Sequence, residues 1–143
     1  MTLYILCGIP GSGKTTKSHE LVTLHNAKLY CADELFRYTQ PKDMKQALSE
    51  TYSQMASELL AGNNVVYDDL NHRLDQRLNI LSAVSDIECK KILLVMDTPI
   101  DECLIRNANR EVRVTDFTIR RVHDRFQRPT LEEGWDEIVY VRR

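Results

Sequence analysis

Residues 8–15 run Gly-Ile-Pro-Gly-Ser-Gly-Lys-Thr, so Gly8, Gly13, Lys14 and Thr15 fall at the spacing GxxxxGK[ST]. A polyphosphate cradled by backbone N–H groups needs a chain without side chains where it wraps closely. It also needs a helix whose positive N-terminal end follows the loop. Gly11, Ser12 and Gly13 suit the close approach, Lys14 has the reach and charge for the β- and γ-phosphates, and Thr15 carries a hydroxyl for Mg2+. Thr16 continues into the helix. The four fixed positions arise by chance at any one start with odds of about a few in 10⁵. A glycine-rich turn with a solvated lysine is the bland alternative. A dinucleotide loop is excluded because Thr16 stands where its third glycine belongs. The chemistry indicated is the binding of a nucleoside triphosphate and Mg2+.

Three further stretches could act on what that loop holds. In "CADELFR", Asp33 follows an apolar run and could take a proton from an attacking hydroxyl or simply cap a helix. Arg37, one helical turn on, could clamp a phosphate or form a surface ion pair. In "VVYDDLN", a carboxylate at the strand end could orient water around Mg2+ or bond the loop. Strand alternation sends Asp68 and Asp69 opposite ways without saying which faces inward. In "RNANREVR", Arg106 and Arg110 are four residues apart on one helix face. They either close over a transferring phosphoryl group or sit on a solvated surface.

These residues need a scaffold. Thr2–Cys7 is a short apolar run ahead of the loop and reads as a buried strand. Lys14 to about His25 reads as helix, and Ala27–Cys31 as a second strand. From Met44, apolar residues at 44, 48, 52, 55 and 59 predict a helix, ended by Gly62-Asn63-Asn64. Val65-Val66-Tyr67 is a third strand, and His72–Val84 a helix. Lys91–Met96, "KILLVM", is a strand without alternation and so buried on both faces. Helices follow over Pro99–Ala108 and Thr115–Phe126, then a last strand over Glu137–Val141. Strand and helix alternate throughout, the pattern of an α/β layer with a mostly parallel sheet of five strands. Residues 1–143 form one domain on this reading. Trp135 and Gly134 belong to a structural tail, with the last strand closing a sheet edge.

Bulk properties narrow the setting. The 143 residues are 43% hydrophobic and 28% charged, as in an ordinary globular protein. No apolar run approaches the roughly 18 residues that span a bilayer, and the expected location is the cytoplasm. The four cysteines and four histidines show no metal-binding spacing, so the cysteines are expected to be reduced and apolar in role. Net charge is −2, yet residues 106–128 hold seven arginines against three acids. That segment attracts anions although the whole does not.

Taken in order, "GIPGSGKTT", "ADELFR", "DDLNHRLDQR", "IRNANR" and "FQRPTLEEGWDEIVYV" resemble the phage-type polynucleotide 5′-hydroxyl kinase domain and the small P-loop ATP-dependent kinases related to it. The resemblance spans nearly the whole chain. It implies a nucleotide-kinase-like P-loop NTPase fold with a short arginine-rich lid, using ATP and Mg2+. It implies that Lys14 and Thr15 hold the donor phosphates and metal, that Asp33 is the general base and that Arg37 binds the acceptor phosphate. Asp69 falls on the family's strand-end aspartate, Asn71 on the asparagine two residues later, and Arg77 on an arginine of the next helix, all on the acceptor side. Arg106 and Arg110 match the lid arginines. Two departures are visible: Arg37 follows Asp33 by four residues rather than three, and Leu70 replaces a usual threonine. The expected activity is transfer of the γ-phosphate to a hydroxyl, foremost the 5′-OH end of RNA or DNA, with nucleic acid ends as partner and no membrane. A small-molecule kinase on the same scaffold is the first alternative. A nucleotide-driven switch is the second, although neither an NKxD nor a DxxG motif occurs.

Overall fold

The computed structural model describes residues 1–31, 44–111 and 113–142. Asp33 and Arg37 lie outside the described residues. Five strands form one sheet: β1 (Thr2–Cys7), β2 (Lys28–Tyr30), β3 (Val65–Asp68), β4 (Lys90–Met96) and β5 (Glu137–Val141). Among the described residues the helices are α1 (Lys14–His25), α2 (Met44–Leu60), α3 (Leu74–Ala83), α4 (Ile100–Ala108) and α5 (Asp116–Asp124), with a 3-10 turn at Leu131–Glu133.

The strand order is β2-β3-β1-β4-β5, and all four pairings are parallel. The uninterrupted apolar runs of β1, β3 and β4 follow from this placement, since these three inner strands are covered on both sides. On one face, Met55 and Leu59 of α2 and Ile80 of α3 pack against Leu3, Ile5, Val65, Tyr67 and Leu93. On the other, Leu21 of α1 packs against Tyr4, Leu6, Val66, Leu94 and Met96. The chain leaves β1 toward β2 and leaves β3 toward β4, in opposite directions along the sheet. Right-handed crossovers therefore place α1 and α3 on opposite faces and open a crevice between the carboxyl ends of β1 and β3.

A third, smaller core of Ile9, Cys103, Ile119 and Val122 fixes α4 and α5 above the loop that follows β1. Helix α5 starts where Thr115 accepts a hydrogen bond from the Thr118 amide. The helix expected from His72 begins two residues later. The His72 carbonyl accepts from Gln127 N, and Gln127 Oε1 in turn accepts from Leu74 N, which holds the chain open until Leu74. The tail behaves as expected. Gly134 adopts φ +126°, Trp135 is buried, and β5 forms one sheet edge.

Candidate active site

The glycine loop is pinned from three directions. Gly8 N donates to the Leu70 carbonyl (2.9 Å), tying the loop to the β3 exit. Thr98 Oγ1 donates to the Ser12 carbonyl (2.9 Å) from beyond β4. Gly11, at φ +83°, lies so close to α4 that a Cβ there would stand 2.6 Å from the Cys103 carbonyl oxygen. Gly13 occupies the α1 N-cap at φ +98° and leaves that end without a side-chain cap. The first amides of α1 are thus left facing the crevice, as an anion site requires.

The crevice is a cleft of about 680 Å³ whose walls include Gly13, Lys14, Thr15, Asp68, Asp69 and Arg106. Gly11, Thr16 and Arg110 also border it. Ser12 does not line it: the residue is fully buried, and its hydroxyl has no hydrogen-bond partner. Lys14 Nζ donates to the Ile9 carbonyl across the loop (3.0 Å). Burial pushes its pKa below the ordinary lysine value, while the charges of Asp68 and Asp69 pull the other way.

Asp68 and Asp69 both border the cleft but do different work. Asp68 Oδ2 lies 3.3 Å from Thr15 Oγ1 and 3.4 Å from Ser18 Oγ, so it faces the loop and α1. Burial raises its pKa, against the pull of Lys14. Asp69 is held by its own strand end, its Oδ2 accepting from Tyr67 Oη (2.8 Å) and its Oδ1 from Leu70 N (2.7 Å). Alternation left the inward residue open, and the structure makes Asp68 the partner of Thr15. The lid also touches the loop, for Arg106 Nη1 lies 3.5 Å from the Gly11 carbonyl and Nη2 3.8 Å from Glu102. Asn107 holds the lid turn by exchanging two hydrogen bonds with Val114, at 2.6 and 3.1 Å.

Two residues expected on the acceptor side are placed elsewhere. Asn71 is buried at φ +50° and donates to the Leu6 carbonyl (2.7 Å). Arg77 is fully buried, paired to Glu133 and bonded to the Asn71 carbonyl. Neither lines the cleft. Both hold the turn after β3 in shape, because a buried guanidinium requires a carboxylate and hydrogen bonds around it. Thr98 and Leu70, which fix the loop, carry no local signal, since each bonds to a loop backbone atom distant in sequence, Thr98 through its hydroxyl and Leu70 through its carbonyl. Cys7, Cys89 and Cys103 are free thiols, and burial pushes the Cys7 thiol up to about 12.

Residues 3–129 match the AAA domain family AAA_33. The chain belongs to this family. Among curated relatives of this AAA domain, it is 27% identical to Protein kti12 of Schizosaccharomyces pombe, over 99% of the chain and 57% of that protein. It is 20% identical to L-seryl-tRNA(Sec) kinase of Methanococcus maripaludis, over 94% of the chain and 56% of that protein. The chain therefore spans little more than half the length of either relative. Chaetomium thermophilum Kti12 in complex with ADP-AlF3 superimposes with a TM-score of 0.77 at 16% identity, over 98% of this chain and 88% of that one. A chain of the Pnkp1/Rnl/Hen1 RNA repair complex superimposes with a TM-score of 0.70 at 17% identity, over 88% of this chain and 46% of that one. The architecture of this AAA domain is that of a P-loop NTPase.

The residues present suit a triphosphate with Mg2+. A small, hard cation needs few protein oxygens beside phosphate and water. Thr15 Oγ1 and Asp68 Oδ2 supply an adjacent hydroxyl and carboxylate at the cleft. Among the described residues of the domain there is no cluster of three His, Cys, Asp or Glu side chains that would form a cage of its own. No helix among them is long and apolar enough to cross a membrane.

Proposed function

We propose that this protein is an ATP-dependent phosphotransferase that moves the γ-phosphate to a hydroxyl, its acceptor being the 5′-OH end of a polynucleotide. The observation that carries the transfer reading is the convergence of Lys14, Thr15, Asp68 and the lid arginines Arg106 and Arg110 on one cleft. The loop amides and Lys14 hold the β- and γ-phosphates. Thr15 and Asp68 would hold the cation, which when bound neutralises charge on the bridging and terminal phosphate oxygens. Arg106 and Arg110 stabilise charge spread over the γ-oxygens during transfer. Asp33 serves as the base. The acceptor O–H bond breaks with its proton passing to the Asp33 carboxylate, the acceptor oxygen bonds to the γ-phosphorus, and the bond to the β–γ bridging oxygen breaks to release ADP. Arg37 holds the acceptor phosphate next to the reacting hydroxyl. The ordered motifs, the arginine-rich lid and the RNA-directed names of two similar proteins support the polynucleotide acceptor.

The test is transfer of labelled γ-phosphate to 5′-OH RNA and DNA oligomers beside a panel of nucleosides and sugars. Wild-type protein should label the oligomers, and Lys14→Ala and Asp33→Asn should not. Labelling of the small molecules alone would replace the acceptor class while keeping the reaction. Full activity of Asp33→Asn would remove the assigned base.

A further inference from the structure

Helix α5 presents two faces of opposite character. Ile119 and Val122 are buried against Ile9 and Cys103. On the opposite side lie Phe117, Arg120 and Arg121, at positions i, i+3 and i+4, which are neighbours on one helix surface. Phe117 is 72% exposed, and both arginines are exposed. Exposure alone means little, since Leu24 and Leu60 are exposed as well. The company of Phe117 is what sets it apart. Residues 113–128 hold five arginines against two aspartates in a chain of net charge −2. Among the described residues, neither Arg120 nor Arg121 is in an ion pair. The patch also adjoins the cleft. Val114 and Arg110 border it, and Phe117 lies three positions after Val114, so their Cα atoms are at most about 11 Å apart.

We propose that Phe117, with Arg120 and Arg121, is a stacking platform for a base of a single-stranded polynucleotide whose 5′ end enters the cleft. The choice of partner rests on the phosphotransferase reading above. An aromatic ring offers any base a π-face, and flanking guanidiniums pair with the backbone phosphates. Such a platform grips single strands with little regard to sequence. It discriminates against mononucleosides and sugars, which are too short to reach it, and against blunt duplex ends, whose bases are already stacked.

Binding of a short fluorescein-labelled 5′-OH RNA, followed by polarisation without ATP across a salt series, tests this separately from catalysis. Phe117→Ala should weaken binding about tenfold, with Phe117→Trp retaining it. Arg120→Gln and Arg121→Gln should each flatten the salt dependence by about one phosphate contact. Circular dichroism should show all four variants folded, since none of these side chains is in the core. If Phe117→Ala binds RNA as wild type does, the platform is wrong. It is equally wrong if the wild type binds no single strand, or if Phe117→Ala only converts a dimer to a monomer. Phe117-dependent RNA binding in a protein that transfers phosphate to no hydroxyl would leave the platform standing and remove the phosphotransferase reading.

Discussion

Arg77 grips Glu133 through both carboxylate oxygens, Nε to Oε1 at 2.9 Å and Nη2 to Oε2 at 3.1 Å. Its third arm, Nη1, reaches the Asn71 carbonyl at 3.0 Å. The side chains of Arg77 and Glu133 are 0% and 6% exposed. Glu133 also accepts from Trp135 Nε1 (3.0 Å) and Thr130 N (3.1 Å). Burial alone would raise the Glu133 pKa, but these donors hold it below the usual glutamate value. The pair joins the C-terminal tail to the turn that carries Asn71, behind the cleft. Arg77→Met leaves a buried carboxylate unpaired and should cost about 3–5 kcal/mol in urea unfolding, whereas Arg77→Met with Glu133→Leu should lie much nearer wild type. If Arg77 instead touched the acceptor, Arg77→Lys would raise the acceptor KM at unchanged stability.

His72 should give the protein a pH-dependent stability of definite sign. It is buried, and its Nδ1 has no hydrogen-bond partner. Burial lowers its pKa, helped by the charges of Arg73, Arg77 and Arg125 and opposed by Asp75. A histidine with a folded pKa below its unfolded value contributes nothing adverse above about pH 6.5, and the unfolded chain binds the extra proton below it. Stability should therefore fall on acidification from about pH 6.5, with a slope of at most about 1.4 kcal/mol per pH unit for this one proton. Urea midpoints of wild type and His72→Gln across that range should converge at low pH. Glu133 acts in a separate, more acidic window, because its depressed pKa delays loss of its contribution until the carboxylate range.

What was legible in the sequence was whatever is decided locally. The unbroken apolar runs "LYILC" and "KILLVM" report strands covered on both faces, and Gly8, Gly13, Lys14 and Thr15 report the phosphate loop by spacing. Arg77 was misread because its place in a helix following "DDLN" says nothing of burial. Its partner lies 56 residues away on the tail. The same distance problem hides Thr98, which meets Ser12 across 86 residues. Asp68 and Asp69 were visible as a pair, but choosing between them required the position of Thr15 across the crevice. The boundary at Leu74 was missed because it depends on the side chain of Gln127, 53 residues on.

Gly11 is expected to tolerate no side chain. Its φ of +83° disfavours any L residue, and the added Cβ would meet the Cys103 carbonyl oxygen at 2.6 Å. The backbone strain alone is worth about 1–3 kcal/mol. Because the obstacle is helix backbone, relief must come from moving α4, and with it Arg106. Gly11→Ala should therefore lower the melting temperature and also lose stabilisation by MgATP, read by thermal shift with and without nucleotide. A variant with unchanged nucleotide-dependent shift would mean that α4 need not sit against the loop for binding.

Asp68 and Asp69 should separate kinetically. Asp68 faces Thr15 Oγ1, whereas Asp69 is tethered by Tyr67 and Leu70. Asp68→Asn preserves the size of the side chain and removes the charge beside the Thr15 hydroxyl. It should lower the transfer rate about 100-fold and raise the Mg2+ concentration needed for half-maximal rate. Asp69→Asn should leave the Mg2+ dependence nearly unchanged and act through the acceptor KM. Tyr67 is fully buried, and its hydroxyl donates to Asp69, so Tyr67→Phe should reproduce part of the Asp69 effect by freeing one carboxylate oxygen. Mg2+ titrations at saturating ATP distinguish the two. Should Asp69→Asn shift the Mg2+ midpoint while Asp68→Asn does not, the metal belongs to the tethered carboxylate, and the short approach of Asp68 to Thr15 serves only to hold α1 against β3.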